Sequence, residues 1–359
     1  MPSDSLSIEM LPADHGDCLL VAYGDMQAPR RVLIDGGTTA TFSRLRKLIE
    51  ALPLEQRHFE LLIVTHIDSD HIDGVLPLLR EREKLGVSFN DIWFNGWRHL
   101  VRTKSEFMGP RQGDMLGNFL SMHPELPWNK KFSGATVVVP DGGALPTHEL
   151  NGGLKLTLLS PTRKELDALE TTWIEASFRQ GRIPGEAPPI LGHQPSRLRQ
   201  IANNPFIRDH AAANGSSIAV LLEYQGKRCL LTGDAFADTL LASINRLPDT
   251  QGRLKVDAFK LPHHASKANV KDALIQAVQC SRYLISTDGG RFNHPDDEAI
   301  VRVLSNADDT VELYFNYESS TTRKWKLSKL PSDMHVKQYR AYYPSSEEGG
   351  LRIELLSGA

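Results

Sequence analysis

The run Thr65-His66-Ile67-Asp68-Ser69-Asp70-His71 constrains this chain more than any other feature. It follows a short apolar stretch, Leu61 to Thr65, which reads as a strand buried on both faces. A helical pattern comes next, Val75 to Leu85, with Pro77 tolerable in the first turn and Gly86 as the stop. A tight turn between strand and helix can aim several side chains into one pocket, and ligands in open α/β architectures gather at strand ends. Histidine offers a neutral nitrogen and aspartate a hard anionic oxygen, a mixture that suits zinc, manganese or iron. Carboxylates crowded this closely repel one another unless a cation lies between them.

Downstream, two further strand ends carry the same residue types. Leu231-Thr232-Gly233-Asp234 closes one apolar run, and Lys260-Leu261-Pro262-His263-His264-Ala265-Ser266-Lys267 closes another. Taken alone, Gly-Asp reads as a turn or a ligand, and two adjacent histidines as a solvated loop or a metal site. Their order after the first cluster favours the metal reading.

The rest of the pattern is strand-rich at the start and alternates strand with helix later. Strands are expected at Asp17–Gly24, Arg31–Ile34, Ile92–Phe94, Thr136–Val139, Leu154–Leu159, Leu254–Leu261, Tyr283–Ser286 and Val311–Tyr317. Ser217–Tyr224 and Lys227–Leu231 read as a hairpin around Gln225-Gly226. Helices are expected at Thr41–Leu52, Phe236–Leu247, Val270–Val278 and Asp296–Leu304. Trp93, Phe94 and Trp97 read as core or as pocket lining. The stretch Phe178–Arg208 is rich in Pro and Arg (Arg179, Arg182, Arg197, Arg199, Arg208) and reads as a surface excursion, a lid or a disordered loop. No linker stands out, so residues 1–359 are expected to form one domain with an irregular insertion around 97–213.

Composition narrows the function. The formal net charge of −3, from 41 basic and 44 acidic residues, argues against a global duplex-binding surface. No apolar stretch approaches the ~20 residues of a membrane span, and Met1–Met10 does not read as a signal peptide. The three cysteines, Cys18, Cys229 and Cys280, are far apart, which points to a reducing cytoplasm.

These motifs together resemble the metallo-β-lactamase superfamily, and within it the ComEC-like hydrolase branch with its free-standing relatives. The resemblance rests on His15-Gly16-Asp17-Cys18, Leu33-Ile34-Asp35-Gly36-Gly37, the His66–His71 cluster with Asp73-Gly74, Asn214-Gly215-Ser216-Ser217, Leu231–Asp234, Pro262–Ser266 and Asn293-His294-Pro295. It implies a four-layer αββα sandwich with two divalent metals at the sheet edge. His66 and Asp68 would hold the first metal, and Asp70, His71 and His263 the second, with Asp234 bridging. Asp68 stands where the superfamily usually has a second histidine, as in this branch. Asn214 and Ser217 match the branch where the superfamily has another histidine, with His210 nearby. Ala265 replaces the branch's usual glycine.

The chemistry implied is hydrolysis by a metal-bound hydroxide. Asp70 would orient the nucleophile, His294 or His264 would supply the proton, and Lys267 would stabilise charge. Asn214, Ser217, Ser266, Lys267 and Asn293 are the expected substrate contacts, while Asp17 and Asp35 would orient metal-bound histidines. The expected activity is that of a phosphodiesterase or nuclease acting on a phosphodiester, either single-stranded nucleic acid or a nucleotide. A thioester, lactone or β-lactam hydrolase is the alternative, followed by a metal-binding scaffold in a multi-protein system. An oxygen-reducing di-iron protein ranks lower, because no flavin-binding segment is evident.

Overall fold

The computed structural model describes residues 4–100, 111–178, 209–248, 252–327, 330, 336–346 and 350–357. Two mixed sheets dominate it. The first has six strands: β1 (Asp4–Met10), β2 (Leu19–Asp25), β3 (Arg30–Ile34), β4 (Leu61–Ile63), β5 (Ile92–Trp93) and, paired with β1, β14 (Leu351–Leu356). The second has eight, in spatial order from β6 (Thr147–Glu149) through β7 (Lys155–Ser160), β8 (Ala219–Tyr224), β9 (Lys227–Leu231), β10 (Ala258–Lys260), β11 (Arg282–Ile285) and β12 (Thr310–Phe315) to β13 (Gln338–Tyr342).

Alternation along the first sheet explains its two faces, since successive side chains of a strand point opposite ways. Leu6, Ile8, Met10, Leu19, Val21, Tyr23, Val32, Ile34, Leu61, Ile63 and Trp93 share one buried core with the second sheet. Leu20, Leu33, Leu62 and Ile92 join a separate core with Leu45 and Ile49 of helix Thr41–Ala51 and with Val75, Leu78 and Leu79 of helix Val75–Leu85. Helices Ala237–Ile244, Asp272–Ala277 and Asp297–Asn306 place Leu240, Leu274, Ile275, Ile300 and Leu304 against the core of the second sheet. The architecture is the expected αββα sandwich.

In each sheet an antiparallel half gives way to a parallel half. β3, β4 and β5 run parallel, as do β9 through β13. The loops after parallel strands leave the same edge, so the residues following β4, β9, β10 and β11 converge there. The β8–β9 hairpin turns on Gln225 and Gly226, both at positive φ (47° and 75°), as a two-residue type I′ turn requires. Gly86 ends its helix in the left-handed conformation at φ 67°.

Some expectations need correction. Thr136–Val139 is not a strand: the Asn95 side chain takes the hydrogen bonds of Val137, leaving an isolated bridge from Val139 to Thr162. Leu254–Leu261 is broken, because Leu254–Lys255 pairs with Val278–Gln279 in a ladder of its own. Within the stretch 97–213, β7 matches the strand expected at Leu154–Leu159, and β6 and helix Arg163–Phe178 are elements not expected there. Residues 179–208, with the arginine-rich run, lie outside the described residues. Trp93 and Phe94 are fully buried core residues rather than pocket lining, and Trp97 packs against the core. No helix among the described residues is long and apolar enough to cross a membrane.

Candidate metal centre

Three loops meet closely enough that a side chain would block them. A Cβ on Gly16 would lie 1.7 Å from the Asp70 carbonyl oxygen, and one on Gly74 would lie 2.0 Å from that of Gly36. Backbone hydrogen bonds from Gly36 to His71 (2.8 Å) and from Asp17 to Asp70 (3.2 Å) lock these approaches. The short helix Ser69–Ile72 carries Asp70 and His71 inward at this junction, and both are buried.

Asp234 Oδ2 is the hub of the site. It lies 3.9 Å from His66 Nε2, 3.5 Å from His71 Nε2, 3.8 Å from His263 Nε2 and 3.6 Å from His264 Nε2. Asp70 Oδ2 is 3.5 Å from His264 Nε2 and 3.8 Å from His71 Nε2. Asp68 Oδ2 is 3.7 Å from His66 Nε2. Two triads, His66-His71-Asp234 and Asp70-His71-His264, each hold their ligand atoms within 4.8 Å of one another.

A family model of the metallo-beta-lactamase superfamily matches residues 12–289. The chain belongs to that superfamily. It is thus a hydrolase of a metal-dependent superfamily whose members typically carry two divalent cations. ComE operon protein 3 of Bacillus subtilis is 27% identical over 124 residues, which are 32% of this chain and 15% of that protein. The match agrees with the branch read from the motifs. Among solved structures, the metallo-beta-lactamase fold protein YhfI from Bacillus subtilis has 12% identity, a TM-score of 0.44, and coverage of 98% of this chain and 99% of its own. A diphosphatase from the PhnP family has 12% identity, a TM-score of 0.40, and coverage of 98% and 100%.

The residues fit such cations. His66 Nε2 and Asp234 Oδ1 are buried with no hydrogen-bond partner, a costly state for polar atoms unless another group binds them. Each histidine is also held from behind, the arrangement that orients metal-binding imidazoles. Asp35 Oδ2 contacts His71 Nδ1 at 2.8 Å, and the same carboxylate accepts the Thr65 amide and hydroxyl, each at 2.7 Å. The His264 Nδ1 side faces the Ser286 carbonyl at 2.8 Å and Asp17 Oδ1 at 3.4 Å. The Thr65 and Ser217 hydroxyls lie 3.0 and 3.2 Å from His66 Nδ1. For His263 Nδ1 the partners are Asn269 Oδ1 at 2.9 Å, Asn214 Nδ2 at 3.3 Å and Asp209 Oδ2 at 3.4 Å.

Without a cation, the carboxylates and histidines balance each other. Burial opposes charge on His264, but Asp234 and Asp17 raise it to about 10. Burial likewise opposes charge on His71, which Asp234 and Asp35 hold well above the ordinary histidine value. Asp234 is held far below the usual carboxylate range by His264, His71 and His263, against its burial. Asp17 is similarly depressed by the buried Lys260, whose Nζ is 2.7 Å from its Oδ2, and by His264.

The structure places each of the expected site residues. His264, expected as a proton donor, stands beside Asp70 and His71, its Nε2 3.5 Å from Asp70 Oδ2 and 3.3 Å from His71 Nε2. His263, His264 and Ala265 all adopt positive φ (49°, 53° and 63°), and this left-handed turn presents the two adjacent imidazoles to different sides of Asp234. Ser217 is fully buried, its hydroxyl 3.2 Å from His66 Nδ1; Asn214 is nearly so, its Nδ2 3.3 Å from His263 Nδ1 and its Oδ1 without a hydrogen-bond partner. Ser266 is buried and accepts the Ala268 amide, and Lys267 reaches Glu298 at 3.4 Å. His210 is exposed and outside the cluster, while Asn293 is exposed next to His294. His294 is buried, its ring centroid 5.3 Å from that of His263 and 6.5 Å from that of His264. Asp209 and Asn269 were not singled out in the sequence; each is one polar residue in an unremarkable context, so no local signal marks it.

Proposed function

We propose that this chain is a two-metal phosphodiesterase, with nucleic acid or a nucleotide as substrate. The observation that carries the reading is the position of Asp234 Oδ2 among four imidazoles. His66, Asp68 and His263 would hold one cation, and Asp70, His71 and His264 the other, with Asp234 shared. Bound there, two cations would supply a nucleophile at neutral pH and charge stabilisation for an in-line displacement at phosphorus.

The chain's own residues do the remaining work. Asp70, on the short helix and close to His264, orients the attacking group as well as binding. His294 has its Nδ1 3.5 Å from Asp296 Oδ2 without a hydrogen bond, and its imidazole would hold or move a proton at the leaving oxygen. Burial holds His294 below the ordinary histidine value, against the opposing pull of Asp296. Exposed Arg291 on the same loop adds positive charge suited to a phosphate.

The test is hydrolysis of bis-(p-nitrophenyl) phosphate and of single-stranded DNA and RNA by metal-stripped protein reloaded with zinc or manganese. Metal-dependent turnover lost in Asp70→Asn is expected. Absence of turnover in fully loaded protein, with thioester or lactone cleavage instead, would overturn the reading.

A further inference from the structure

We infer that Phe292 is a stacking platform for a nucleobase of a single-stranded nucleic acid. The inference rests on the phosphodiester reading and specifies its substrate class.

Phe292 is half-buried, yet it belongs to neither apolar core of the described residues. Its neighbours belong to the site instead. Its ring centroid lies 5.8 Å from that of His15 and 6.0 Å from that of His294, and the Arg291 guanidinium sits 5.1 Å from it. His15 in turn lies near enough to feel the charge of Asp70 and His264. Phe292 therefore stands at the edge of the metal centre between two imidazoles, with a cation over or beside its face.

The loop that presents it is held at both ends. The Asp288 amide bonds the Asp14 carbonyl at 2.8 Å, tying this loop to the one that carries His15. Gly289 packs so tightly on Thr321 that a Cβ would lie 2.1 Å from its hydroxyl, and that hydroxyl donates to the His294 carbonyl at 2.8 Å. Between these anchors Arg291 and Asn293 are exposed. An aromatic ring fixed by its surroundings, excluded from the core and paired with a guanidinium is what unpaired bases stack upon. Every base offers a π-face, so this contact tolerates sequence; a duplex hides those faces, and the chain's net charge of −3 does not favour duplex. A phosphodiester in the centre would carry its own base within reach of the ring.

The experiment is fluorescence anisotropy with the metal-loaded full chain and cleavage-resistant phosphorothioate strands, one bearing bases and one abasic, of equal length and charge. A dinucleotide arm tests whether a base at the scissile bond suffices. The base-bearing strand should bind about tenfold tighter than the abasic one. Phe292→Trp should keep that ratio. Phe292→Ala should bring it close to one, and so should Phe292→Leu, which retains apolar bulk without a ring. Equal binding of the two strands by the unmodified chain, or a preference that survives Phe292→Leu, would overturn the inference. Hydrolysis of ordinary strands is followed in parallel. A base preference without turnover would sink the phosphodiester reading and leave the platform standing as a binding site.

Discussion

The two halves of the metal centre are built differently. On one side Asp70, His71 and His264 are buried, and the two imidazoles are backed by buried carboxylates, Asp35 and Asp17. On the other side Asp68 has 43% of its side chain exposed and His263 has 21%. There, among the described residues, His66 is backed by the hydroxyls of Thr65 and Ser217, and His263 by Asn269, Asn214 and the charged Asp209. A dry site with anionic support makes its imidazoles more basic and holds them more firmly. The difference teaches that one fold can build two unlike environments around a single carboxylate; under the proposed two-metal reading, a cation beside Asp70 would be held firmly and one beside Asp68 would exchange more readily.

The largest expected effect comes from removing what the halves share. Asp234→Ala should bind less than one cation per chain and lose activity by on the order of 10³-fold, since metals contribute several kcal/mol to transition-state stabilisation. Elemental analysis after desalting checks this; two retained cations would break the assignment of Asp234 as a bridge.

Next in size is His294, whose ring lies nearer to His263 than to His264. His294→Ala should lower turnover about 10²-fold at unchanged metal content. Unchanged turnover would remove it from proton transfer.

The supporting groups test the contrast directly. Asp35→Asn should weaken the tighter cation by about 10–100-fold, as loss of a carboxylate behind a ligating histidine does. Ser217→Ala should weaken the other by less than about tenfold, because a hydroxyl polarises His66 less than a carboxylate polarises His71. Equal losses in competitive chelator titrations would erase the distinction between the halves.

The smallest effect per step is that of pH. Protons on His264 must leave before a cation binds. Its value is raised to about 10 by Asp234 and Asp17 against burial, so affinity should climb with pH, by at most about tenfold per unit for each proton released. In the metal-free chain the sign reverses. A raised histidine stabilises the fold fully below about pH 6.5, its unfolded value, and that contribution fades as pH rises through about 10. Melting of stripped protein at pH 7 and pH 10 checks this. A higher melting temperature at pH 10 would contradict the proposed charge balance.

Much of this molecule could be read locally. The helix Val75–Leu85 and the hairpin around Gln225-Gly226 carry their own signals in apolar period, stop glycine and turn residues. Others were invisible for a physical reason. β1 and β14 come from opposite ends of the chain and meet only by long-range pairing, and β6 and β13 are edge strands with few buried residues. Thr136–Val139 has the apolar period of a strand, but the Asn95 amide supplies the hydrogen bonds a partner strand would have made.

The sequence by itself determined the ingredients of the site: which strand ends carry aspartate and histidine, and that His66, Asp68, Asp70 and His71 occupy one turn between a strand and a helix. Tertiary structure alone decided how they are shared. His263 and His264 are neighbours in the chain, and no periodicity says which one faces Asp70; the left-handed turn at 263–265 decides it. Asp209 reaches His263 only because a distant segment packs beside it, and Ser217 comes to lie beside His66 once β8 is laid against the strand end at Thr65. Local chemistry is written in neighbouring residues, whereas which histidine faces which carboxylate depends on backbone handedness and on contacts between segments far apart in the chain.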